Sequence, residues 1–216
     1  MRFVAFGCSH TWGDGILPGD SWNTPASSAT WVKVLSKKFN IPVLNLAWSG
    51  GSNLLILHAI RNHVWQAGDI ALIQWTYFER DTIFDNKTEF SHISSYHINN
   101  KDRAYIKQYY TLFPNYHIEY TSLQHIEHAY LYLTAHNIPK VARFSDNNTN
   151  NNTTVTLDGF EKVMILDYQK SSLGYIATAL EKKFGTPQLG ADNMHYNPLV
   201  HEVFAEEYVS EITDLL

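Results

Sequence analysis

Residues 2–15, RFVAFGCSHTWGDG, run from a short apolar stretch into three glycines crowded around a serine, a cysteine and a histidine. A strand of this kind, ending in a glycine-rich polar turn, decides the fold if it belongs to an open parallel sheet. In such a sheet the residues just past the carboxyl ends of the strands face the ligand crevice. Ser9 therefore stands either where chemistry happens or at the cap of the helix that follows.

The pattern repeats along the chain. PVLNLA (42–47), DIALIQW (69–75) and KVARFS (140–145) also read as short apolar strands, the third strand of the series being nearly continuous, as expected when both faces are covered. Helical patterns separate them: SSATWVKVLSKKF (27–39) opens on serine caps, and residues 52–68 run from Ser52 to a glycine stop at Gly68. Strand, helix, strand, helix, strand predicts a doubly wound α/β fold.

The stretch 81–115 breaks this rhythm, being polar and rich in His and Tyr, with a helical pattern around 101–112. It reads as an insertion within one domain spanning 1–216. Helical periodicity returns over 118–136. Residues 145–154, SDNNTNNNTT, predict a mobile polar loop, VMIL (163–166) a short edge strand, 171–185 a helix and 198–216 a final amphipathic helix.

Composition narrows the function classes. With 216 residues, 44% of them apolar, the chain is long enough for one sizeable core. A net charge of −5 and no run of five basic residues argue against nucleic acid or an anionic membrane as a partner. Cys8 is the sole cysteine, which excludes an intramolecular disulfide and a zinc site of paired cysteines. Neither a leader with an apolar core nor a bilayer-length apolar run is visible, so the expectation is a soluble protein, cytoplasmic when made. Asn-x-Ser/Thr matches at Asn86, Asn147, Asn151 and Asn152 read as polar loop. The 13 Tyr and 6 Trp exceed what a core needs and hint at a ligand surface.

Three further segments carry candidate chemistry. In NLAWSGGSN (45–53) a double glycine precedes a helix, either as a turn needing positive φ or to bring the Gly50 N–H close to a ligand. In IQWTYFER (73–80), Thr76 or Gln74 is placed to donate into a crevice, while Trp75 either packs or touches substrate. In GADNMHYNP (190–198), Asp192 and His195 lie three apart, a spacing that lets the carboxylate hold the Nδ1–H and leave Nε2 to take a serine proton.

The ordered set GCSHTWG, NLAWSGGSN, IQWT and DNMH before a terminal helix resembles the SGNH hydrolase family of GDSL-type esterases and lipases. The resemblance implies a flavodoxin-like three-layer α/β/α sandwich around a parallel sheet of about five strands. It implies Ser9 as nucleophile, Asp192 as orienter and His195 as base, with Ser9 and Gly50 N–H groups forming the oxyanion hole. Two positions depart from the family pattern. Cys8 replaces the aspartate of Gly-Asp-Ser, and Gln74-Trp75-Thr76-Tyr77 stands in place of Gly-x-Asn-Asp, so Thr76 is expected to donate where the family has asparagine.

His10, Trp75 and Arg80 are the expected substrate contacts, Arg80 for an anionic part of the substrate. A thiol nucleophile at Cys8 is disfavoured, since alternation turns it away from Ser9. His92, His97, His117, His125 and His128 lack acidic companions at ligand spacing, so neither metal nor organic cofactor is expected. The expected reaction is hydrolysis of an ester, a small acyl group such as O-acetyl on a carbohydrate, because the insertion is polar rather than aliphatic. Acyl transfer at the same residues, and a non-catalytic carbohydrate-binding or structural protein on the same scaffold, are the alternatives.

Overall fold

The computed structural model describes residues 1–21, 23–84, 90–93, 104–113, 115–145 and 172–216. Strand β1 (Arg2–Phe6) is central, paired in parallel with β2 (Val43–Asn45) on one side and β3 (Asp69–Trp75) on the other. With β6 (Lys140–Phe144) the sheet order is β2-β1-β3-β6, and Leu72 pairs with Val141 across the last pair. All four strands found among the described residues of this sheet are those expected from sequence. The candidate fifth strand, 163–166, and the polar loop over 146–154 lie outside the described residues.

Alternation along β1 builds two cores from one strand. Phe3 and Ala5 face Trp31, Leu35, Leu173, Phe204 and Tyr208, contributed by α2 (Trp31–Phe39), α6 (Leu173–Phe184) and α7 (Pro198–Leu215). Val4 and Phe6 face Ile56, Ile60, Ile126 and Leu133, from α3 (Asn53–Asn62) and α5 (Asn115–Ala135). Every residue of β3 is buried, the consequence of helices on both faces. The result is the three-layer α/β/α sandwich. No helix among the described residues is long and apolar enough to cross a membrane.

Caps refine the expected helices. The cap of α2 is Thr30, whose hydroxyl accepts the Lys33 N–H at 3.4 Å, rather than a serine further upstream. Ser52 caps α3 as expected, but the helix ends at Asn62 instead of running to Gly68. Its end is drawn off by the Trp65 indole, which donates to the Ile60 carbonyl at 3.1 Å. Gly68 serves a different turn, at φ +84 directly before β3.

The stretch expected as an insertion carries an antiparallel strand pair not anticipated from sequence, β4 (Asp81–Phe84) with β5 (Phe90–Ile93), followed by α4 (Ala104–Leu112) in the expected helical region. Tyr109 donates to the Asp81 carboxylate and Tyr110 to the Glu79 carbonyl, fastening α4 to the end of the third-strand loop.

Candidate active site

Because the four sheet strands are parallel, their following loops share one edge of the sheet. Beyond β1, Gly7 and Cys8 lead into the single-turn helix α1 (Ser9–Trp12). A side chain at position 7 would bring its Cβ to 2.1 Å from Thr11 Oγ1, which is why the turn needs glycine. Thr11 in turn donates to Gln74 Oε1 at 2.5 Å and accepts from the Trp31 indole at 3.3 Å. Gln74, one of two expected donors from the third strand, is thus buried on the Trp31 side of the sheet.

The helix cap is Cys8, with its carbonyl accepting from Thr11 N and Trp12 N, both at 3.0 Å. Ser9 is therefore not the cap, and among the described residues its hydroxyl makes no hydrogen bond; the residue is 5% exposed. The Cys8 thiol is wholly buried, in keeping with the alternation that disfavoured it as a nucleophile.

Asp192 and His195 form a tight unit. Asp192 Oδ1 accepts the N–H groups of Met194 and His195, each at 2.9 Å, and Oδ2 lies 2.6 Å from His195 Nδ1. Asn193 between them adopts φ +56, a left-handed conformation that asparagine tolerates. Burial pushes the Asp192 carboxyl up, but those backbone donors and the ring together hold it below its ordinary value. An ionised acceptor fixes the Nδ1–H tautomer and leaves Nε2 as the basic nitrogen. No hydrogen bond joins Ser9 to His195 among the described residues; in ligand-free enzymes such contacts are often long.

Glycines let this turn sit directly on the first loop. A Cβ on Gly15, at φ +62, would fall 2.0 Å from Asp192 Oδ2. The His195 ring meets His10 edge-on with centroids 5.1 Å apart, and His10 stacks on Tyr196 at 5.1 Å. His10, expected as a substrate contact, is buried instead and packs against the His195 ring. Burial pushes its imidazole well below the ordinary value, with the His195, His201 and Arg80 charges adding to the effect. Fully buried His201, on α7, is a neighbour that the sequence reading missed.

The loop after β2 closes through Gly51 N donating to the Trp48 carbonyl at 2.9 Å, and Trp48 N ties it to the Gly7 carbonyl at 3.1 Å. Gly50 takes φ +71 within it. Neither the Ser9 nor the Gly50 N–H has a hydrogen-bond partner among the described residues.

Thr76, at the end of β3, is buried, and its hydroxyl accepts from Arg80 Nη1 at 3.2 Å. The Arg80 guanidinium lies over the Tyr77 ring, 4.5 Å from its centroid. The Thr76 main chain is bracketed by Asn53, another residue missed from sequence, which also donates to Ser122 Oγ at 2.8 Å. Trp75 is not a substrate contact. It is 0% exposed in the core formed with α3 and α5, so the packing alternative holds. No group of three or more His, Cys, Asp or Glu among the described residues is placed to hold a metal ion. The side chains of His92 and His97 lie outside the described residues.

No protein-family model matches the sequence, and no curated protein matches it. Among solved structures, the chain is similar to the psychrotrophic esterase EstA from Pseudoalteromonas sp. The TM-score is 0.51 and the identity 12%, over 100% of this chain and 98% of that one. It is also similar to the acetyl xylan esterase Est2A from the rumen bacterium Butyrivibrio proteoclasticus, with a TM-score of 0.50 and 13% identity over 99% of this chain and 63% of that one. At these identities the likeness establishes a shared fold.

Proposed function

We propose that this chain is a serine esterase of the SGNH type, with Ser9 as nucleophile and the Asp192–His195 pair as its proton relay. The observation that carries this reading is the Asp192 Oδ2 to His195 Nδ1 contact of 2.6 Å, on a turn packed against the loop that carries Ser9. In the first step Ser9 Oγ attacks the acyl carbon while His195 Nε2 takes the hydroxyl proton. The carbonyl oxygen becomes an oxyanion, accepting from the N–H groups of Ser9 and Gly50 and from the Thr76 hydroxyl. His195 then gives its proton to the departing alcohol oxygen, leaving an acyl group on Ser9. Water attacks that ester as His195 takes its proton, and the carboxylic acid leaves as Ser9 recovers its own.

A short acyl group on a carbohydrate is the substrate class we favour. Est2A, described as an acetyl xylan esterase, supports it, as does an insertion rich in Tyr, His and Asn. EstA, whose structure is described as inhibited by monoethylphosphonate, suggests the test. A fluorophosphonate probe should label the protein at Ser9, and Ser9→Ala should abolish both labelling and hydrolysis of a chromogenic acetyl ester. An intact protein that neither labels nor hydrolyses, or that labels elsewhere, would overturn the esterase reading in favour of a binding or structural role.

A further inference from the structure

Asp14 is a carboxyl that the proposed chemistry does not use, and its surroundings are unusual. It is 7% exposed, and no arginine or lysine pairs with it among the described residues. Oδ2 accepts the hydroxyl of Ser49, whereas Oδ1 is buried with no hydrogen-bond partner. Burial pushes the carboxyl up; Ser49 and His195 pull it down, and the charges of Asp192 and Asp20 push it up again. Burying a carboxyl costs free energy unless it is hydrogen-bonded, and Ser49 supplies the one side-chain bond this carboxyl has among the described residues.

Its connections show what it holds. The Asp14 N–H donates to the Ser9 carbonyl at 3.1 Å, beside the Gly13 N–H at 2.7 Å. Its carboxyl reaches across to Ser49, the residue before Gly50. The next residue, Gly15, accepts the Asp192 N–H on its carbonyl at 3.4 Å and lies against the Asp192 carboxylate. Residues 13–15 therefore touch the nucleophile residue, the loop with the Gly50 N–H and the Asp192–His195 turn. At the near end of that loop the Asn45 side chain donates to the Thr11 carbonyl at 2.8 Å; beside Gly50 and Gly51, which have no side chains, Ser49 supplies a second side-chain tether to the first loop.

We propose that Asp14 is a positioning residue that sets the 48–51 loop, and with it the Gly50 N–H, against Ser9 through the Ser49 hydroxyl. This rests on the serine-esterase reading for its catalytic consequence, but not for the tether itself. An oxyanion donor displaced by about 1 Å costs on the order of a hundredfold in rate. A donor used only in the transition state acts on kcat and leaves KM in place.

The test compares Asp14→Ala, Asp14→Asn and Ser49→Ala in the full chain, by acetyl-ester kinetics and by hydrogen exchange of the 46–52 backbone. Asp14→Ala and Ser49→Ala should each lower kcat by about tenfold to a hundredfold with KM within about threefold, and the double variant should be no worse than either single one. Asp14→Asn keeps an acceptor oxygen of the same reach and should retain kcat to within about fivefold. Exchange over 46–52 should quicken in Asp14→Ala and stay near wild type in Asp14→Asn. Unchanged exchange in Asp14→Ala overturns the tether, as does an Asn variant as impaired as the Ala variant. If the wild type shows no esterase activity, the esterase reading fails and exchange alone decides on Asp14. Should Asp14→Ala not fold, Ser49→Ala, which removes only a half-buried hydroxyl, carries both readouts.

Discussion

The Asn53 side chain brackets the Thr76 peptide groups: its Oδ1 accepts the Thr76 N–H at 2.9 Å, and its Nδ2 donates to the Thr76 carbonyl at 3.2 Å. The first residue of α3 thereby fixes the end of β3, joining the second and third loops of the site. A side-chain amide is suited to this, since it offers one acceptor and two donors at once.

Asn53→Ala should accordingly be destabilising. It leaves two buried peptide groups and the Ser122 hydroxyl short of a partner, each worth about 1–3 kcal/mol. For a chain of this length we expect Tm to fall by at least about 5 °C, with kcat reduced because Thr76 is no longer held. A Tm within about 1 °C of wild type would show that the bracket contributes nothing.

Asp192→Asn should keep the turn but offer the imidazole the wrong partner for its Nδ1–H tautomer. The expected loss in kcat is about 10³ to 10⁴-fold. The same carboxyl predicts a pH effect on stability. Its folded value is held below the ordinary one, so its contribution is present above the unfolded value of about 3.9 and is lost as pH falls through the folded value. The Tm gap between wild type and Asp192→Asn, measured by thermal melts, should shrink as the solution is taken from pH 6 toward pH 3. A gap that stays constant over that range would contradict the assignment.

The sheet was legible because its signals are local. Phe3 and Ala5 against Val4 and Phe6, and the unbroken apolar run of β3, state on their own that strands lie between two helical layers. The Asp192–His195 pair was legible for the same reason, since three residues on one turn contain the whole contact. Trp75 shows where such signals stop. In a strand covered on both faces, alternation does not distinguish a residue at the crevice from one in the core, and Trp75 lies in the core. Asp14 and Asn53 bond partners distant in sequence, Ser49 and Thr76, so spacing gives no sign of them. The strand pair was hidden because DTIF and the partner strand FSHI are too short and mixed to show a period.

Thr76→Val tests the third-strand part of the site. The Thr76 hydroxyl accepts from Arg80 Nη1 at 3.2 Å, and a hydroxyl that accepts from a cation is polarised as a donor. If it serves the oxyanion, the valine variant should lose about tenfold to a thousandfold in kcat with KM little changed, and Thr76→Ser should restore most of it. Arg80→Met should lower kcat in the same direction but less, about twofold to tenfold. A fully active Thr76→Val protein would leave the oxyanion to the N–H groups of Ser9 and Gly50. A KM effect alone for Arg80→Met would instead return Arg80 to the substrate-binding role expected from sequence.

His201 sets the last expectation. It is fully buried on α7, and both ring nitrogens lack a hydrogen-bond partner among the described residues. Burial, with the charge of nearby His195, pushes its imidazole down to about 3. The unfolded chain takes up a proton at its ordinary value of about 6.5, while the folded one stays neutral down to about 3. Between those two values the unfolded state binds the extra proton, so stability is full above the upper value and is lost steadily as pH falls toward the lower one. His201→Leu removes this uptake and two unpaired polar atoms. Melts of wild type and His201→Leu from pH 8 to pH 4 should diverge below about pH 6.5, the variant keeping more of its Tm. Parallel curves would mean that His201 is protonated in the folded protein as readily as in the unfolded one, and hence not sealed from solvent.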